Sequence, residues 1–142
     1  TEAATKACSY LVSERESDGA AQNATFWGAS ADGSTAFLTS EGKLTEDASP
    51  EGQDLYRYDA EAQQLTDLTS DATDAGGANV QKVFGLSKVG AYAYFLATGN
   101  LAPGASGADP KLYAWHEGDV RLVADLASKA EQLTFATTAD DL

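Results

Sequence analysis

Four carboxylates crowd one short stretch: Glu46, Asp47, Glu51 and Asp54, with Pro50 and Gly52 between them. Clustered oxygen donors on a turn are what a calcium ion needs. Asp47, Glu51 and Asp54 are therefore the candidate metal ligands, and weak ones, because their spacing matches no EF-hand loop. The expectation is an ordinary acidic turn with no bound metal. A second candidate is a sugar-stacking platform built from Trp27, Tyr56, Tyr58, Tyr94, Tyr113 and Trp115. These rings lie inside apolar segments, so core packing is the expected role.

Catalytic constellations fare worse. His116 is the single histidine, and the chain offers it no set of partners for a triad or a zinc site. It is expected to be exposed at a turn. Ser30 lies in Gly28-Ala29-Ser30-Ala31-Asp32, which lacks the second glycine of a nucleophile elbow. Glycines 76, 77, 85, 90 and 99 spell neither a phosphate loop nor a dinucleotide fingerprint. Carboxylate pairs are abundant, but abundant surface acids do not specify glycosidase chemistry. No nucleophile–base pair can be named, so the expectation is no enzyme, no catalytic residue and no cofactor, with the ligand-binding residues unassigned. Cys8 is the lone cysteine. It excludes a disulfide within the chain and a cysteine-based zinc site. It reads as a buried thiol, with pairing to a cysteine outside the chain as the alternative.

Charge narrows the partners further. Twenty-two Asp and Glu face nine Lys and Arg, for a net charge of −13. That balance excludes nucleic acid and anionic membrane as expected partners. The acids are scattered and read as a solvated surface, with a salt-adapted or cation-rich surface as the sharper alternative. No apolar run approaches the ~18 residues of a membrane-spanning helix, so no membrane insertion is expected. The sequence shows no signal peptide, and any export signal is expected to have been removed or to lie outside it.

The elements that must carry these residues come from an internal repeat. A shift of 57 positions lays Gly28, Ser30, Gly33 and Ala36 on Gly85, Ser87, Gly90 and Ala93. It lays Gly42, Leu44, Ala48 and Ser49 on Gly99, Leu101, Ala105 and Ser106. Leu55, Tyr56 and Leu65 fall on Leu112, Tyr113 and Leu122. Trp27 meets Phe84, and Tyr58 meets Trp115. Each copy reads as four short strands separated by turn residues. The first copy predicts strands at 25–29, 35–39, 55–58 and 63–68, with an Asp32-Gly33 hairpin turn. The second predicts strands at 82–86, 91–97, 112–115 and 120–124. Single strands at 9–13 and 132–137 would belong to units before and after. The resulting division is 1–23 (partial preceding unit), 24–69 (first repeat), 70–79 (connector), 80–126 (second repeat) and 127–142 (partial following unit or tail).

The string GASADGSTAFLTS followed by DLYRYDAEAQQLTDLT resembles the TolB-like β-propeller repeats of bacterial proteins. FGLSKVGAYAYFLA with KLYAWHEGDVRLVADL looks like a second copy. It departs from the pattern at Val89-Gly90, where Asp-Gly is expected, and at His116, where Asp is expected. The chain is similar in particular to long repeat-bearing secreted or surface proteins of actinobacteria. The resemblance covers roughly residues 24–126 and implies fold rather than activity. The expected fold is all-β, with antiparallel four-stranded β-propeller-type blades, two full repeats and partial units at both ends. Two and a half blades do not close a propeller. The remaining options are a piece of a longer chain, a ring of copies or a filament. The expected function is a non-catalytic scaffold or binding module of an extracellular or cell-surface protein, binding a protein or glycan through loops at 41–53, 70–79 and 98–110. The alternatives are a self-assembling structural protein that completes its sheets between chains and a carbohydrate-binding propeller lectin.

Overall fold

A computed structural model describes residues 11–70, 72 and 76–126. The protein is all-β, and no helix occurs among the described residues. The first sheet comprises β1 (Thr25–Ala29), β2 (Thr35–Ser40), β3 (Asp54–Asp59) and β4 (Gln64–Asp67). The second comprises β5 (Val80–Leu86), β6 (Tyr92–Ala97), β7 (Lys111–His116) and β8 (Asp119–Asp125). Both are antiparallel meanders in sequential order. β6 and β7 begin and end 57 residues after β2 and β3, so the repeat in sequence is a repeat in space.

The repeated residues now have reasons. Ser30 N–H donates to the Thr35 carbonyl at 2.8 Å, and the Ser30 hydroxyl accepts from Thr35 N–H at 3.0 Å. Ser87 does the same with Tyr92, at 3.0 and 2.9 Å. Gly33 and Gly90 close the two turns at φ of 74° and 71°, a left-handed conformation that glycine adopts without penalty. Val89 thus takes the place of Asp32 without loss of the turn, because serine and glycine carry it.

The two tyrosines at equivalent positions tie each sheet to its own long loop. The Tyr113 hydroxyl donates to the Gly99 carbonyl at 2.7 Å and accepts from Leu101 N–H at 3.3 Å. The Tyr56 hydroxyl donates to Gly42 at 3.3 Å and accepts from Leu44 N–H at 3.4 Å. Both rings are fully buried. Tyr113→Phe leaves two buried backbone groups without their partner and should destabilise the fold by about 1–3 kcal/mol. Thermal melts should show a smaller loss for Tyr56→Phe, whose bonds are longer. Equal losses would mean the clamp geometry does not set the energy.

Side chains alternate across the strands, so each sheet has two faces. The leading face of the first sheet carries Trp27, Phe37, Thr39 and Leu55. The trailing face of the second carries Ala93, Phe95, Tyr113 and Trp115. These two faces pack together as the main core, with Leu68, Val80 and Val83. Phe37 meets Trp115 edge to face at 6.2 Å between ring centres. The approach is close enough that a Cβ on Gly28 would lie 2.8 Å from Leu86 Cδ1. Ala31 N–H donates to the Lys88 carbonyl at 2.7 Å, joining the two hairpin turns. A smaller cluster of Leu38, Leu44, Ala48 and Tyr56 lies on the trailing face of the first sheet, with Val12 against it.

One expected element is corrected. Residues 11–13 form a turn rather than part of a strand, and pairing in this region is a single bridge between Glu14 and Ala21. The segment folds back on itself, as Arg15 N–H bonds the Ala20 carbonyl and Gln22 N–H the Ser13 carbonyl. Val12 of this run packs against the small cluster. Ser9 and Tyr10, Cys8 and the expected strand at 132–137 lie outside the described residues.

Candidate functional site: the long-loop end

Short turns close one end of both sheets, and every long connection gathers at the other. Residues 41–53, 76–79 and 98–110 meet there. Val80 N–H donates to the Gln53 carbonyl at 2.7 Å, and Gly99 N–H to the Ala78 carbonyl at 3.0 Å. A cleft of about 390 Å³ opens between the connector and the third loop, lined by Gly77, Asn79, Thr98, Gly99, Asn100 and Gly107. Asn79 Nδ2 donates to Thr98 Oγ1 at 2.9 Å across it. The cleft is lined by no charged side chain, and its backbone groups and amides can hydrogen-bond a ligand beside apolar surface. A second cleft of about 350 Å³ lies between Arg15, Ser17 and the 43–46 segment.

Two buried charged positions anchor the loops, and they are equivalents of one another in the repeat. Lys111 is fully buried, and its Nζ donates to the carbonyls of Thr98, Gly107 and Asp109 at 3.1, 2.9 and 2.8 Å. Three acceptors match the three protons of an ammonium group. Asp54 stands at the same place in the first sheet and is also buried. Its Oδ2 accepts from Ser49 N–H at 2.9 Å and its Oδ1 from the Thr69 hydroxyl at 3.3 Å. That hydroxyl also lies 2.8 Å from Asp67 Oδ1. One hydroxyl proton serves only one carboxylate at a time. Burial pushes the Asp54 carboxyl up to about 6. Burial, then the charge of Asp54, pushes Asp67 up to about 7.

The candidate metal loop is dispersed by this arrangement. Asp54 points into the sheet, while Asp47 and Glu51 are exposed. No group of three or more His, Cys, Asp or Glu side chains among the described residues is placed to hold a metal ion. The candidate sugar-stacking rings are mostly interior: Tyr56, Tyr113 and Trp115 are buried, and Trp27, Tyr58 and Tyr94 are half-buried. The Trp27 indole N–H donates to Thr39 Oγ1 at 2.9 Å. His116 is half-exposed rather than free in solvent, because its ring stacks on Tyr92 at 3.9 Å between centres. Ser30 is occupied in its turn, where its hydroxyl also donates to Asp32 Oδ1 at 2.6 Å. That bond, with those from Ser34, holds the Asp32 carboxyl down at about 2.

Sequence reasoning overlooked Lys111, Asp67 and Thr69. A signal for the first existed: positions 54 and 111 are both charged and both immediately precede a repeated Leu-Tyr pair. No family model, curated protein or solved structure matches the chain.

Proposed function

We propose that this chain is a non-catalytic scaffold or binding module built of β-propeller-type, TolB-like repeats, carried by an extracellular or cell-surface protein. The observation that supports the reading is the sorting of connections: long loops at one end of a closely packed two-sheet frame and short turns at the other. Rigid strands that present variable loops are a common basis for recognition. The neutral cleft at Asn79 and Asn100, set in a chain of net charge −13, favours a protein or glycan partner over an anion.

The test is binding of a glycan array and of fractionated cell-envelope proteins to immobilised chain. A partner retained by the wild type should be lost in Asn79→Gly with Glu51→Lys, at the loop end. It should be kept in Glu61→Lys, at the turn end. Asn79 has a φ of 47°, so glycine removes the amide without straining the backbone. A partner sensitive only to the turn-end change, or a hydrolytic activity, would overturn the reading.

A further inference from the structure

The two sheets are related by a rule that does not end at the second. The leading face of the first packs on the trailing face of the second, so the interface is head to tail. The leading face of the second sheet carries Phe84, Tyr94, Leu96 and Ala114, all half-buried, and Leu112, buried; they are the equivalents of Trp27, Phe37, Thr39, Arg57 and Leu55. Phe37 is fully buried by the neighbouring sheet, whereas Tyr94 is only half-buried. At two of these positions a polar residue of the covered face, Thr39 or Arg57, is replaced by an apolar one, Leu96 or Ala114. The face without a neighbour among the described residues is thus more apolar than the one already packed. A surface selected for water would show the reverse.

The opposite end of the chain shows the complementary gap. Val83 is 8% exposed under the first sheet, while its equivalent Phe26 is 66% exposed. A Cβ on Gly90 would lie 2.9 Å from Thr35 Cβ, while around Gly33, its equivalent, nothing lies within 4 Å. At Phe26 and Gly33 the trailing face of the first sheet therefore has room where the second sheet is covered, while Leu38 and Tyr56 nearer the long loops are already buried. Phe26, Ala36, Tyr58 and Leu65 on this side are uncharged, and the two acids of the same face, Asp54 and Asp67, are buried. On the other side, Lys82 sits 5.3 Å over the Phe84 ring, and Arg121 pairs with Ala114. Two of only nine basic residues thus flank the apolar leading face.

We propose that the occupant of this face is a second copy of the chain, its Phe26 side seated on the Tyr94 side of the first copy in the relation the two sheets have within one chain. The proposal rests on the repeat-module reading above, and it extends that reading by naming the partner. An interface of this kind leaves an unused face at each end of the pair, so it grows into a closed ring or an open stack.

The experiment is absolute mass by light scattering after gel filtration over a concentration series. The wild type should exceed 14.8 kDa. Tyr94→Glu and Phe26→Glu should each reduce the mass to a monomer, with unchanged circular dichroism. An equimolar mixture of the two should form a dimer and nothing larger, because each keeps the face the other has lost. A monomeric wild type at every concentration would overturn the proposal, as it would if the chain's own residues 127–142 cover the face. So would a mixture that stays monomeric, or an assembly disturbed by only one of the two changes. Circular dichroism and the loop-end binding test are independent of mass. A monomer that still binds through its loops leaves the module reading standing.

Discussion

Phe37→Ala should destabilise the protein by about 3–5 kcal/mol, the range for removing a fully buried aromatic side chain, and lower its melting temperature by roughly 15 °C. Phe37 is completely buried between the sheets and meets Trp115 edge to face at 6.2 Å. Its loss opens a cavity in the cluster that joins Leu55 and Leu68 of one sheet to Val80, Phe95 and Tyr113 of the other. The same change at the repeat-equivalent Tyr94, measured in dilute solution, should have less than half the effect. That ring is half-buried and lacks a covering sheet among the described residues. Similar losses at both positions would show that stability does not come from contact between the sheets.

Raising the pH from 5 to 8 should weaken the fold by on the order of 4 kcal/mol, taking about 1.4 kcal/mol for each unit between pH 5 and the raised pKa values. Asp54 and Asp67 are raised to about 6 and about 7. An acid with a raised folded-state pKa holds its proton more firmly when folded. Its stabilisation is complete below the unfolded value near 3.8 and is lost as pH climbs through 6 to 7. Asp32, held down at about 2, acts in the opposite sense. Its contribution is lost only as pH falls below the ordinary carboxylate range, so it leaves the 5–8 window untouched. Thermal melts across this window should slope downward in the wild type. Asp67→Asn should flatten the slope, because it removes one of the two charges that share the Thr69 hydroxyl. A flat wild-type profile, or an unchanged slope in Asp67→Asn, would contradict this account.

What the sequence made legible was the regular part. Alternation and turn residues located the eight strands within a few residues, because each strand is bounded by its own Gly, Asp or Pro and needs no distant partner to be recognised. The shift of 57 positions paired Gly42, Leu44 and Tyr56 with Gly99, Leu101 and Tyr113. Their joint role as a clamp emerged only from the geometry, since a buried tyrosine reads as core whether or not its hydroxyl is used. The anchors were least visible. A lysine beginning a strand looks solvent-facing, and only the fold of 98–110 brings three carbonyls around Lys111. Asp54 was read with its neighbours Asp47 and Glu51 as one acidic turn. The start of β3 separates them, turning Asp54 inward and leaving the others outside.

Lys111 holds its loop entirely through main-chain oxygens of Thr98, Gly107 and Asp109. Main-chain oxygens are the same whatever amino acids supply them. The lock is therefore indifferent to the identity of nearly every residue between 98 and 110, provided the path of the chain is kept. This makes the loop a natural grafting site. A foreign peptide segment or a randomised library inserted between positions 103 and 104, which are exposed between the core-packed Ala102 and Ala105, would inherit an anchored stem without having to encode one.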